Sequence, residues 1–258
     1  MEEIIYYQEI AYYIQEPGFF AGLWQSFLDF LLGTEGNRSE FYRAFIRENR
    51  YQLFLAGMRT TITLAILALA IGTVVGLLIT YFTMNKIKPL RWVANIYLDL
   101  IRGTPLMVQI MLWYFVFLGG MGLPRILVGG IAFGVNSGAY LSEIFRAGIM
   151  SIDKGQTEAG RSLGMSSFKT MWLIVFPQAI KNVLPAIANE YIVLIKETAI
   201  AFAIAIPDIL RAANIVISRT FSPMMPLLGA TVMYYVIIKT LSVIFKIIEK
   251  QMRKADAR

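Results

Sequence analysis

The chain has 258 residues, 57% hydrophobic and only 16% charged, with a mean hydropathy of +0.60. A soluble domain carries nearer a quarter charged residues, so this is the composition of a membrane protein. The absence of His and Cys excludes imidazole acid–base and metal chemistry, disulfides, thiolate zinc sites and Cys nucleophiles. The net charge of +7 is uneven: residues 1–50 are net acidic and the remainder is strongly basic. In so apolar a chain the basic excess marks cytoplasmic loops rather than a nucleic-acid surface.

Residues 1–50 read as an extracytoplasmic or interfacial extension. Met1 is followed by Glu2 and Glu3 instead of a basic segment, so no cleavable signal is expected. Phe19–Gly33, FFAGLWQSFLDFLLG, is short and mixed. It suits a helix lying in the outer interface; a re-entrant or additional span is the alternative.

Four charge-free runs follow: Thr60–Asn85 (26 residues), Gly103–Pro124 (22), Ile126–Ser142 (17) and Thr220–Ile238 (19). A fifth apolar region, Asn182–Pro207, is interrupted by Glu190, Lys196 and Glu197. About 20 apolar residues cross a bilayer as a helix. The expectation is an all-α membrane protein with five transmembrane helices, near 60–84, 93–118, 125–149, 184–206 and 226–247. They form one domain over 51–250, with a basic tail at 251–258. Gly72 and Gly76 make a GxxxG pair in the first span, which is either a close-packing face or chance in a Gly- and Ala-rich helix.

Orientation follows from loop charge. Lys86, Lys88 and Arg91 lie in the first loop; Lys154, Arg161 and Lys169 lie in a polar insert; Lys246, Lys250, Arg253, Lys254 and Arg258 lie at the C-terminus. An odd number of spans puts all three on one side, the cytoplasm, and leaves the N-terminus outside.

The polar insert, Ser151–Pro177, is patterned. Ser151–Gly155 suits a turn. Gln156–Ser162 suits a short helix with Ala159, Leu163 and Met165 as its apolar contacts. Gly164 suits a left-handed helix end, Ser166 or Ser167 a cap for a second short helix, and Pro177 a stop before the next span. Two short amphipathic helices make a knob that fits a cleft on a soluble partner.

Glu158-Ala159-Gly160, Gly164, then Ile174-Val175-Phe176-Pro177 resembles the EAA loop of ABC-importer permeases, departing from that pattern at Gly160 (for Ala) and Phe176 (for Leu). Leu100–Gln109, with Arg102-Gly103-Thr104-Pro105-Leu106, resembles the R-G-T-P-L segment of the polar amino-acid permeases. Ala139–Ala147 resembles their A-Y-x-x-E-x-x-R-A segment, and Leu194–Ala199 their L-x-K-D-T-S segment, departing at Glu197 (for Asp) and Ala199 (for Ser). Lys154-Gly155-Gln156 and Phe176-Pro177-Gln178-Ala179 also fit. The resemblance covers about Leu55 to Glu249 and implies the type I importer permease fold. It further implies an ATP-driven, binding-protein-dependent importer of a polar amino acid in a prokaryotic cytoplasmic membrane. On that resemblance Gln156, Glu158, Ala159, Gly160 and Gly164 would dock into a separate ATPase dimer, which carries the ATP and Mg, while this chain binds no cofactor. The other implied partners are a second permease copy or homologous permease and an extracytoplasmic amino-acid-binding protein.

Ionisable groups at membrane depth usually face a bundle interior or cavity. Asn136, Tyr140 and Glu143 recur on one helical face, and Asn189, Lys196, Glu197 and Thr198 fall on the fourth span. Such residues line a site for a zwitterion; alternatively Glu143 pairs with Arg146 and Lys196 snorkels. The break at Arg102–Pro105 reads as packing or gating rather than substrate contact. Two other classes compete: a gradient-driven carrier or channel, for which no inverted repeat is detectable, and a membrane enzyme, for which no catalytic constellation accompanies Glu143 and Glu197. No phosphate-binding GxxxxGK[ST] loop occurs, so hydrolysis belongs to a partner.

Overall fold

A computed structural model describes Gly18 and residues 40–256, which include helices and turns and no strand. The expected interfacial helix at Phe19–Gly33 lies outside the described residues. The helices are α1 (Tyr51–Met84), α2 (Lys88–Arg102), α3 (Leu106–Leu112), α4 (Arg125–Met150), α5 (Lys154–Ser162), α6 (Ser167–Thr170), α7 (Phe176–Glu197), α8 (Ile209–Thr220) and α9 (Met224–Asp256).

The architecture rests on α1 against α4. Along this pair, side chains of α1 lie over glycines of α4 in rising order: Leu67 over Gly130, Ile71 over Gly134 and Val75 over Gly138. Rising order on both helices means that they run parallel. Glycines of α1 answer from the other side. A methyl group on Gly72 would lie 3.1 Å from the Gly134 carbonyl oxygen, and one on Gly76 would lie 2.9 Å from Leu141 Cβ. The GxxxG pair is therefore the close-packing face of α1, where small residues let backbones approach. Thr80 closes the contact by donating its hydroxyl to Ser142 O at 3.0 Å.

Parallel α1 and α4 require the intervening chain to run back through the bundle. It does so as α2 and α3, with the break that the sequence places at Arg102–Pro105. The segment is not one straight helix; it bends by 108° between Lys88–Arg102 and Leu106–Phe117. Pro105 has no N–H to offer the carbonyl of Ile101, and Gly103 tolerates the turn, so the helix breaks there.

The next two passes also follow from contacts. α7 runs antiparallel to α4: Val183 packs at Gly148, and Ser137 meets Glu190 nearer the other end. α9 returns beside α7, with Tyr191 edge-on to Phe245 at 6.1 Å between ring centroids. The chain thus traverses the bundle five times. By length and apolar composition, however, three helices qualify as membrane spans, or four counting the bent pair. α4 is not among them, although its 26 residues are long enough; its glycines, Asn136 and Ser137 serve helix contact and lower its apolar content.

Two expectations are corrected. Pro177 does not stop a helix: Ser167–Ile204 is one 38-residue helical segment, and a wide π-helical turn at Met171–Val175 just before Pro177 carries the chain into α7. The segment after the fourth span forms an unforeseen helix, α8. Asp208 caps it, accepting from Arg211 N at 2.8 Å and Leu210 N at 3.3 Å. A methyl on Gly57 would sit 2.7 Å from Asp208 O, so only glycine lets α1 pass this loop. Tyr234 of α9 donates to the same buried carboxylate at 3.1 Å. Before α1, residues 42–50 form a knot around Arg50, which is buried and donates to Arg43 O at 2.7 Å; its guanidinium holds the exposed Glu48 carboxyl below the usual carboxylate range.

The glycine seam makes a testable demand. Gly76→Leu overpacks α1 against Leu141 and the Gly138 carbonyl, an effect of about 1–3 kcal/mol, and lowers the unfolding temperature of the detergent-solubilised protein. Gly120→Leu, where no atom lies within 4 Å of the added carbon, leaves that temperature unchanged.

Candidate coupling loop and polar pathway

The polar insert folds as a knob at the end of α4. Asp153 caps α5 by accepting from Gly155 N at 2.6 Å. The helix ends in a double hydrogen bond: Met165 N donates to Gly160 O at 3.1 Å and Gly164 N to Arg161 O at 3.0 Å. That pattern is a Schellman cap, and it places Gly164 at φ +80, in the left-handed region. Ser166 then caps α6 by accepting from Lys169 N at 3.2 Å.

Gly160 departs from the family's Ala for a visible reason. It is buried, and a methyl there would lie 2.8 Å from Thr170 Cγ2 and 2.9 Å from Ile174 Cδ1. Losing about 1 kcal/mol of helix propensity lets α5 close onto α6 and the turn after it. Gln156, Glu158, Ala159 and Gly164 are exposed. The expected inward contacts are corrected: Ala159 and Leu163 face outward, with Leu163 82% exposed and Phe168 71% exposed, while Met165 is half-buried. α5 is too short to cover them, and its only buried residue is Gly160.

Above the knob a cavity of about 930 Å³ opens between α4, α7 and α9, lined by Ile144, Ser151, Lys181, Asn182, Asn189 and Lys246 among others. Ser151 and Lys246 line one space, so the polar insert and the basic end of α9 share one end of the bundle. Parallel α1 and α4 put the Lys86–Arg91 loop at that end too. Asn182 ties the root of the knob to α7, donating to Ser151 Oγ at 2.9 Å.

The expected pathway residues do not converge on one site. Asn136 is buried and donates to Gln109 Oε1 of α3 at 2.9 Å. Tyr140 and Glu143 lie on the flank of α4 beside the end of α2. Arg102 Nη1 stands 3.4 Å from Glu143 and its guanidinium 5.8 Å from the centre of the Tyr140 ring; Arg146 adds a contact to Glu143 at 3.8 Å. Asn189 lines the cavity instead. Lys196 is exposed, Glu197 half-buried, and Thr198 buried with its hydroxyl donated to Ile195 O at 2.8 Å. Ser137 of α4 is level with Glu190 of α7, and the two helices are antiparallel. At about 1.5 Å per residue, Glu143 and Glu197 are therefore roughly 20 Å apart along the bundle. One amino acid does not reach both carboxylates.

Sequence reasoning missed the polar contacts of Arg102 and Gln109. Arg102, taken as part of a packing break, meets a carboxylate and an aromatic face. Gln109 is the only Asn, Gln or charged residue in Gly103–Pro124, a signal that pointed to a buried partner. Glu190, seen only as an interruption, accepts from Ser137 Oγ at 2.8 Å. Among the described residues no cluster of Asp and Glu suits a metal ion.

Comparison with known proteins agrees with this architecture. Residues 72–254 match the family described as the inner membrane component of binding-protein-dependent transport systems, and the chain belongs to that family. It is a multi-pass permease component. A Rickettsia conorii protein provisionally assigned as a glutamine transport system permease is 40% identical over 198 residues, 76% of this chain and 91% of its own length. The arginine transport system permease of Bacillus subtilis strain 168 is 37% identical over 210 residues, covering 78% of this chain and 93% of its own. A solved amino acid ABC transporter crystallised with histidines has a chain that superposes with a TM-score of 0.73 at 42% identity, covering 80% of this chain and 98% of that one.

The Gly164 cap is directly testable. Gly164→Val forces a branched side chain into the left-handed region, at about 1–2 kcal/mol, and opens the knob to limited trypsinolysis at Arg161. Asn, which tolerates that region, leaves cleavage close to the parent rate.

Proposed function

We propose that the chain is the permease subunit of an ATP-driven importer for a polar amino acid, with its N-terminus outside and its C-terminus in the cytoplasm. The carrying observation is the capped, outward-facing knob at the basic end of the bundle. A knob with exposed Leu163 and Phe168 beside exposed Gln156 and Glu158 has the chemistry of a helix-in-groove contact. Its occupant is an ATPase subunit, one of a dimer that holds ATP and Mg. Relatives named for glutamine, arginine and cystine transport support an amino acid as cargo. Five traverses, the bent α2–α3 pair counted as one, serve as five membrane spans over 51–250. Residues 1–50 form the outer extension.

In this reading a binding protein delivers the amino acid at the outer end, and closure of the ATPase dimer pushes the knob. Asn182 and the seam along α4 carry the displacement into the bundle. Cargo passes the Arg102, Tyr140 and Glu143 cluster, which offers a cation and a carboxylate to the two ends of a zwitterion. Asn189, Lys196 and Glu197 line other levels of the path. A second permease copy or a homologous permease completes it.

The test is ATP hydrolysis by the chain reconstituted with its co-purifying ATPase and binding protein, across a panel of L-amino acids. One amino acid stimulates hydrolysis, and Gly164→Arg keeps the protein in the membrane while abolishing both stimulation and uptake. Normal uptake by that variant removes the coupling role; uptake with no ATPase present favours a gradient-driven carrier.

A further inference from the structure

The bend between α2 and α3 leaves a specific deficit. In a continuous helix the Ile101 carbonyl would accept from the N–H four residues on, but that residue is Pro105. The Thr104 carbonyl stands at the corner as well. At membrane depth an unsatisfied carbonyl is costly. Gln109, 6% exposed, reaches back across the corner. Its Nε2 donates to Ile101 O at 2.7 Å, and Thr104 O and Thr104 Oγ1 lie 3.1 and 2.8 Å from the same nitrogen. Thr104 Oγ1 donates its own proton to Leu100 O at 2.7 Å, leaving a lone pair for the amide. The Gln109 oxygen is taken by Asn136 of α4. One side chain therefore satisfies both sides of the corner and ties it to α4.

Arg102 sits between the two carbonyl-bearing residues that Gln109 holds. We infer that Gln109, backed by Asn136, is a positioning residue: it fixes the bend so that Arg102 meets Glu143 and Tyr140. The Arg102–Glu143 pair is half-exposed on both sides, at 47% and 41%, so its own attraction is too weak to set the backbone. The buried amide network sets the geometry, and the ion pair follows from it. Chemistry also fixes which residue works at 109. The position must donate to two carbonyl-bearing residues and accept from Asn136. Leu does neither, and Glu, of nearly the same size, presents an acceptor to acceptors. The transport consequence of this inference rests on the pathway reading above; the positioning itself does not.

A chain without Cys makes the test clean. In the membrane-embedded complex, the Arg102→Cys/Glu143→Cys pair is cross-linked with a short bifunctional thiol reagent. With Gln109 present, cross-linking is efficient; Gln109→Leu and Gln109→Glu both reduce its yield several-fold at equal protein in the membrane. Unchanged yield in both variants overturns the inference. In parallel, uptake of tritiated L-arginine and L-glutamine by the complete complex is measured in a double-mutant cycle. Gln109→Leu and Arg102→Ala each raise KM about tenfold, and Gln109→Leu adds nothing in the Arg102→Ala background. Additive effects mean that Gln109 does not act through Arg102 and overturn the inference. Reduced cross-linking with an unchanged KM in Arg102→Ala upholds the positioning role and overturns the pathway reading instead.

Discussion

The constraint on which the structure depends is the backbone approach of α1 and α4. Lipid is as apolar as Leu, so helices in a bilayer gain little from burying Leu against Leu. Close packing and hydrogen bonds must hold them. Gly130, Gly134 and Gly138 on one helix and Gly72 and Gly76 on the other supply the packing, and Thr80 supplies a hydrogen bond to the Ser142 carbonyl. The parallel run that results dictates the rest of the topology. It forces α2 and α3 to recross the bundle between them. It brings the ends of α1 and α4 to one side, and with them the first basic loop and the knob.

The same approach explains where polar groups appear. Asn136 and Ser137 are neighbours on α4 and reach different partners: one goes to Gln109 on α3, the other to Glu190 on α7. Asn136 and Ser137 thus place α4 between the bent segment and the fourth traverse by hydrogen bonds, while the glycines place it against α1 by shape. At the opposite end from the knob, Asp208 does comparable work. It caps α8, accepts from Tyr234 of α9 and lies against Gly57 of α1. A buried carboxylate with several donors is tolerable where an isolated one is not.

Much of this was legible in the sequence, for local reasons. Gly164 and Ser166 announced a helix end and a helix start because cap chemistry is decided by a few adjacent residues. Arg102–Pro105 announced a break because Pro removes a donor whatever surrounds it. The long apolar stretches were legible from charge-free runs, and the shared side of the three basic segments from their charge. What was not legible depended on distant partners. Pro177 reads as a stop in sequence, yet a π-helical turn before it lets the helix continue. α8 carries Arg211, Asn214 and Arg219, which hid its buried face of Ile209, Ala212, Ala213 and Val216. Asn136, Tyr140 and Glu143 do share a helical face by spacing, but spacing cannot reveal that Gln109 already occupies the first of them. The separation of Glu143 from Glu197 was hidden for a related reason: antiparallel packing sets residues at opposite levels, and no one-dimensional pattern records which helix runs which way.

The separation of levels bears on how such a protein works. The knob is exposed at one end, and the Arg102, Tyr140 and Glu143 cluster stands about 10 Å up α4 from its last residue, at 1.5 Å per residue. In the proposed coupling, a push on the knob reaches that cluster only through elements that do not yield. α4 is one: its glycine face is in backbone contact with α1 and cannot slide without steric conflict. The bent segment is the other, and a helix broken at Gly103–Pro105 would normally be the compliant part. The Gln109 network removes that compliance, because the Ile101 and Thr104 carbonyls at the break are held by a side chain that is itself held by α4. The corner and α4 then move as one body. The Arg102–Glu143 pair beside them is half-exposed on both sides and only weakly attracted, which in the proposed import cycle leaves both groups open to exchange partners with a zwitterion.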